Sequence, residues 1–220
     1  MVKIIISVIL GLLPSLVWLL FYLQEDKKRP EPKKLILLAF LSGALSTFFA
    51  IWIQLFYNNL FSAYGLSPYS FVFLLFFAGI EELTKFGVVY LIISKRKEFD
   101  EPIDPMIYMI AAALGFAAVE NVATAIQTPN SLENIVLRFI GATLLHSLSS
   151  GLVGYYWGKA LAAKRDLWSF IITGLLFAVL LHWAFNYLII ATGPFGLVII
   201  FLVFMAFFVL NDFEKLKHLR

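Results

Sequence analysis

Runs of about 20 apolar residues recur along the chain, and they constrain its fold more than any other feature. A helix of that length spans a hydrocarbon layer roughly 30 Å thick. The composition agrees, because 61% of the residues are hydrophobic and 14% are charged, against roughly 45–50% and about 25% in soluble domains. The sequence therefore predicts an all-α, polytopic transmembrane helical bundle that lies in the lipid bilayer.

Seven membrane spans are predicted, separated by short polar loops. They cover residues 4–23, 35–57, 69–93, 106–126, 134–158, 168–190 and 194–212. The loops are too short to fold alone. We therefore expect residues 1–220 to form a single integral membrane domain, with a catalytic helix core at 69–190.

The basic residues are sorted by loop, and this pattern predicts the orientation of the bundle. Lysine and arginine crowd the first, third and fifth loops and the C-terminal tail, whereas the second and sixth loops carry no charge. Basic loops are retained in the cytoplasm, so the N-terminus is predicted outside and the C-terminus cytoplasmic. Since the basic residues do not cluster on one face, no nucleic-acid partner is expected.

Ionisable residues inside the predicted spans are candidates for function, because a charge at mid-bilayer costs about 2.5–3.5 kcal/mol on insertion scales. The candidates lie on four consecutive spans and are Glu81, Glu82, Lys85, Glu120, His146 and His182. All of them fall near the middle of the hydrocarbon layer. We expect them to converge on one site.

Small residues indicate which helix faces pack together. His146 shares an i, i+4 ridge with Ser150 and Gly154, and His182 shares one with Gly174 and Asn186. Small residues let membrane helices approach closely, so both imidazoles are expected on packed inner faces.

Three further residues have weaker assignments. Glu120 and Asn121 are expected inside the bundle, either as packing and hydrogen-bonding residues or as support for the site. Arg138, near the end of its span, is expected to extend to the membrane interface.

Lys85 lies four residues after Glu81 and three after Glu82, so it can pair with either carboxylate. A structural ion pair alone would not need a second glutamate and two histidines at the same depth. The pattern therefore favours a functional site over a purely structural one.

Carboxylates and imidazoles around a water molecule can perform amide hydrolysis. Glu81 or Glu82 with His146 and His182 is also an accepted zinc set, in which the other glutamate would act as base. A metal-free mechanism, with a glutamate deprotonating water, is equally open. The chain has no cysteine and no His-Glu-x-x-His motif, and Leu148 stands where a serine-nucleophile turn before Ser149-Ser150-Gly151 requires glycine.

Four ordered motifs on four spans resemble the PrsW family of intramembrane proteases, within the wider group of CAAX prenyl endopeptidases and bacteriocin-immunity proteins. They are Glu81-Glu82-x-x-Lys85, Phe116-x-x-x-Glu120-Asn121, His146 with Ser150-Gly151 and Gly154, and His182-x-x-x-Asn186. The wider group tends to have arginine after its glutamate pair and histidine in its Phe motif. Lys85 and Glu120 at these positions favour the PrsW branch.

The resemblance implies proteolysis of membrane-anchored protein substrates, such as anti-sigma factors, in a prokaryotic cell membrane. By analogy, Glu81 or Glu82 with His146 would activate water, and His182 and Asn186 would bind the oxyanion or orient the substrate. The resemblance leaves open whether zinc takes part.

Two other functions fit the same residues. A nonenzymatic membrane immunity or chaperone-like protein could keep the fold, and a proton-coupled transporter could use the glutamates and histidines as a relay. Transporters commonly have internal repeats and broken helices, and the two halves of this chain show no convincing repeat.

The loop charges give a testable topology. A reporter fused after residue 60 should read outside the cell and one fused after residue 97 should read inside. Residue 60 lies beside the uncharged second loop, whereas residue 97 lies in the basic third loop. Alkaline phosphatase and fluorescent protein fusions measure the two sides. A cytoplasmic signal from the residue-60 fusion would contradict the seven-span topology.

Overall fold

The computed structural model describes residues 2–27, 29–128, 131–193 and 196–219. Lys28 and Arg220, two of the basic residues behind the predicted orientation, lie outside them. The described residues form eight α-helices and no β-strand: α1 (Val2–Tyr22), α2 (Lys33–Ala63), α3 (Phe71–Val88), α4 (Asp104–Gln127), α5 (Ser131–Ile140), α6 (Ala142–Ala163), α7 (Leu167–Thr192) and α8 (Leu197–Lys217). A π-helical turn, Val89–Ile93, continues α3.

The all-α, polytopic transmembrane prediction is confirmed. Six stretches of helix are long and apolar enough to cross a membrane, and the α5–α6 pair counts among them as Leu132–Ala163. The remaining predicted span is α3 with its π-helical turn, which carries Glu81, Glu82 and Lys85. The start of the seventh predicted span, residue 194, lies outside the described residues. The orientation of the termini stays a prediction.

The predicted fifth span is two helices instead of one. The helix breaks at Gly141, whose φ of −97° and ψ of −98° are not helical. A Cβ atom at Gly141 would lie 2.8 Å from the carbonyl oxygen of Leu137, so the break requires glycine. Residue spacing alone did not reveal it, because both helices are apolar enough to continue one another.

Helix α4 is the centre of the bundle, and nearly all of its residues from Asp104 to Ala118 are buried. Close approach by its neighbours requires glycine. A Cβ at Gly43 of α2 would lie 1.9 Å from the carbonyl oxygen of Ala112, and one at Gly115 would lie 1.8 Å from that of Phe40. Helices α2 and α4 therefore touch backbone to backbone.

The small-residue ridges behave as predicted. A Cβ at Gly154 of α6 would lie 2.3 Å from the Cα of Met106 in α4, and one at Gly174 of α7 would lie 3.0 Å from the Cα of Val153 in α6. Because the ridges face other helices, His146 and His182 point into the bundle, and both are buried.

Replacing Gly115 by alanine should lower the free energy of unfolding by about 1–3 kcal/mol or more, because overpacking forces α2 away from α4. Gly79→Ala is the matched control, since a Cβ at Gly79 meets nothing within 4 Å. Thermal unfolding in detergent measures both variants. Equal midpoints for the two variants would contradict the backbone contact.

Candidate active site

The side chains predicted to converge from four spans do meet in the structure. Glu82 of α3, His146 of α6 and His182 of α7 are buried, and Glu120 of α4 lies beside them. The two imidazole rings are perpendicular, with their centroids 5.1 Å apart. The site therefore lies between α3, α4, α6 and α7, inside the membrane-spanning part of the bundle.

Glu82 is fully occupied by hydrogen-bond donors. Its Oε1 accepts from Lys85 Nζ at 2.6 Å, from His182 Nδ1 at 2.8 Å and from Ser149 Oγ at 2.9 Å. Its Oε2 accepts from Ser150 Oγ at 3.3 Å. Of the two pairings open to Lys85, the structure has the one with Glu82, and this carboxylate is held in place by its four partners.

Glu81 presents a free oxygen to His182. Its Oε1 accepts a hydrogen bond from Gln54 Nε2 at 2.9 Å, while Oε2 is buried and has no hydrogen-bond partner among the described residues. That oxygen lies 3.7 Å from His182 Nε2. Since His182 Nδ1 donates a hydrogen bond to Glu82, the other nitrogen of this ring is left for Glu81 or a ligand.

Both nitrogens of His146 are engaged. Lys85 Nζ lies 3.0 Å from Nδ1, and Glu120 Oε2 lies 3.0 Å from Nε2. An ammonium group only donates hydrogen bonds and a carboxylate only accepts them. Nδ1 therefore accepts a hydrogen bond from Lys85, and the protonated Nε2 donates one to Glu120. The two histidines are therefore alike, because each donates one N–H to a carboxylate.

Arg138 is part of the site, and the expectation that it extends to the interface is wrong. Its guanidinium donates to Glu120 Oε2 at 2.8 Å and to Asn121 Oδ1 at 2.6 Å. Asn121 in turn donates to Thr143 Oγ1 at 3.0 Å. The break at Gly141 lets α5 turn so that Arg138 can reach α4, and spacing along one continuous helix could not predict this.

The site has more acidic than basic groups. Three carboxyl groups, Glu81, Glu82 and Glu120, face the two cations Lys85 and Arg138, so the site would carry one negative charge if all three were ionised and both imidazoles were neutral. Lys85 pairs with Glu82 and Arg138 pairs with Glu120. Glu81, which has no lysine or arginine partner among the described residues, is the uncompensated carboxylate.

Three side chains of the site could hold a divalent metal ion. Glu81, His146 and His182 each offer one ligand atom, and these atoms lie within 4.8 Å of one another. Histidine ligands of metals usually donate their second N–H to a carboxylate, as His182 does to Glu82 and His146 to Glu120. The nitrogen of His146 that would then bind the metal is Nδ1, so Lys85 would have to give up its hydrogen bond to that atom.

Two amide side chains near the site, Asn186 and Gln54, differ from what the sequence predicts. Asn186 is half-buried one turn beyond His182 and makes no hydrogen bond to the site among the described residues. Gln54 was not predicted, because it lies before the expected core at 69–190. Its signal was the one amide side chain within the predicted span 35–57, which is costly in a membrane unless the amide is hydrogen-bonded.

Comparisons with known proteins identify relatives of this chain. The model of the PrsW family of intramembrane metalloproteases matches residues 31–211. Protease PrsW of Geobacillus kaustophilus is 31% identical over 188 residues, which cover 84% of this chain and 80% of the relative. Protease PrsW of Oceanobacillus iheyensis is 30% identical over 86% of this chain and 85% of the relative. Protease PrsW of Bacillus subtilis is 25% identical over 94% of each.

The chain belongs to the PrsW family. It is therefore an intramembrane protease and an integral membrane protein, and the relatives named above are bacterial. The sequence-based prediction of an enzyme is confirmed, in preference to an immunity protein or a transporter. No solved structure matches the chain.

An apolar groove of about 540 Å³ lies between α2 and α3. It begins at Ile53 and Ile80, the residues directly before Gln54 and Glu81, and runs to Ser42 and Ile92. Beyond the site, the rings of Tyr57 and Phe76 are 4.7 Å apart and hold the two helices together.

Proposed function

We propose that this protein hydrolyses a peptide bond of membrane-anchored proteins with a zinc ion held by Glu81, His146 and His182. The observation that carries the proposal is the Glu81 carboxylate, which is uncompensated by any described lysine or arginine and faces His182 Nε2. A carboxylate and two neutral imidazoles are an accepted catalytic zinc set. Among membrane-anchored proteins, anti-sigma factors are the substrates that the family resemblance favours.

Zinc at this position would supply a Lewis acid that polarises a carbonyl oxygen and makes water acidic enough to react at neutral pH. The chain's own residues prepare the ligands. Glu82 accepts a hydrogen bond from His182 Nδ1 and so orients Nε2 toward Glu81. Glu120 does the same for His146 through Nε2. Such carboxylate–histidine pairs fix the tautomer and raise the basicity of the ligand.

By elimination, Glu120 would be the carboxylate that takes a proton from water. Glu82 is occupied by its four donors, and Glu81 is needed as a ligand. Both described contacts of Glu120 use Oε2, which leaves Oε1 free, and about a quarter of its side chain is exposed. Asn186, with its amide free, would donate a hydrogen bond to the carbonyl oxygen of the scissile bond.

The purified protein should contain stoichiometric zinc, and it should cleave a single-span test substrate. Chelation should abolish cleavage and added zinc should restore it. The His146→Ala, His182→Ala double variant should lose the metal, and Glu81→Gln should lower turnover at least about 100-fold, in the range that removal of a catalytic group produces. Elemental analysis and a gel-based cleavage assay measure both quantities.

Glu133→Gln is the matched control, because Glu133 is an exposed glutamate of α5 that makes no described contact with the site. It should keep both metal and activity. Full activity of the metal-free protein would eliminate the zinc mechanism and leave Glu81 as a general base acting alone. Zinc retained by the double histidine variant would place the metal elsewhere.

The groove between α2 and α3 is the route that we propose for the substrate. Its lining is mostly apolar, and Ile53 and Ile80 at one end directly precede Gln54 and Glu81 in the sequence, so an apolar helix of the substrate lying in it would come close to the site. Ser42, Thr84 and Gly87 also line the groove. Small residues of this kind permit close contact between membrane helices.

Filling the groove should weaken substrate binding. A Cβ at Gly87 meets nothing within 4 Å, so the helix tolerates a side chain there. Gly87→Trp should raise KM about tenfold or more, with a smaller change in kcat and unchanged zinc content, whereas Gly87→Ala should behave like the parent. Equal kinetics of the alanine and tryptophan variants would contradict this route without touching the metal site.

A further inference from the structure

A second cavity, of about 290 Å³, lies between α6, α7 and α8, away from the residues of the active site. Its floor is apolar and is formed by Leu152, Phe177, Met205 and Phe208. Phe177 and Phe208 are themselves exposed on the outer surface of the bundle. The cavity therefore opens toward the bilayer and could take part of an acyl chain.

The rim of this cavity is polar and carries two lysines. Lys159 Nζ lies 5.4 Å from the ring centroid of Tyr155 and 5.8 Å from that of Tyr156. It donates no hydrogen bond among the described residues, so its three N–H groups are open to a ligand. Lys215 Nζ lies 5.5 Å from the Tyr155 centroid and 2.7 Å from Asp212 Oδ1.

The charges on the rim favour an anion. Lys159 and Lys215 bring two positive charges and Asp212 brings one negative charge, which leaves a net positive charge at the mouth of an apolar cavity. Both lysines lie near the C-terminal ends of their helices, α6 and α8, at the end of the bundle predicted to be cytoplasmic. Basic pockets between helices on that side suit the phosphate groups of anionic lipids.

We propose that this cavity binds one anionic phospholipid of the surrounding membrane. The phosphate lies against the ammonium groups of Lys159 and Lys215, and an acyl chain packs on Phe177, Met205 and Phe208. Asp212 is already paired with Lys215, so it offers little to the ammonium group of a zwitterionic lipid. The site is independent of the proposed zinc mechanism.

Native mass spectrometry of the purified protein, titrated with phosphatidylglycerol or phosphatidylcholine, tests the proposal. One phosphatidylglycerol should bind in preference to phosphatidylcholine. Lys159→Gln should weaken it about fivefold, the ratio that corresponds to about 1 kcal/mol for one lysine near an anionic surface. Lys34→Gln is the matched control, since it removes the same charge from an exposed position at the start of α2.

A second variant, Met205→Trp, keeps every charge and fills the apolar part of the cavity, so it should also weaken lipid binding. Equal binding of the two lipids, or equal weakening by Lys34→Gln, would overturn the proposal, because either result means general attraction to the surface. Complete competition by inorganic phosphate would overturn it too and identify a site for a free anion. Zinc content and cleavage in detergent should be unchanged in Lys159→Gln.

Discussion

The buried ion pair between Glu82 and Lys85 is the interaction on which the rest of the site depends. Both side chains are fully buried, and removing one partner of such a pair costs about 3–5 kcal/mol because the other charge is left alone. Lys85 also donates to His146, and Glu82 accepts from His182. One pair on α3 thus sets the position of both imidazoles, which come from α6 and α7.

The other charged groups of the site leave one carboxyl group without a cation partner among the described residues. Arg138 neutralises Glu120, and Glu81 is left with the amide of Gln54 as its described hydrogen-bond partner. An uncompensated carboxylate inside a membrane protein is costly, so it persists where a cation or a reaction uses it. The match to a metalloprotease family over residues 31–211 is in keeping with the cation that we propose at Glu81.

Packing of the helices determines whether these side chains can meet. Helices α2 and α6 contact α4 at Gly43 and Gly154, where a Cβ would lie 1.9 Å and 2.3 Å, respectively, from the α4 backbone. Such close contacts bring Gln54, Glu120 and His146 from three different helices into one site. The break at Gly141 adds Arg138 from α5. The polar network of the site therefore depends on the backbone contacts that these glycines permit.

The sequence by itself determined the apolar spans, apart from the break in the fifth, since a long apolar segment in a bilayer satisfies its backbone hydrogen bonds as a helix. It also identified Glu81, Glu82, His146 and His182, because ionisable residues at mid-bilayer stand out in any span. Only the tertiary structure decided that Glu81 keeps a free oxygen while Glu82 is saturated, and that Gln54 and Arg138 belong to the site. The physical reason is that a hydrogen-bond partner is set by helix packing, and His182 reaches Glu82 across 100 residues of chain.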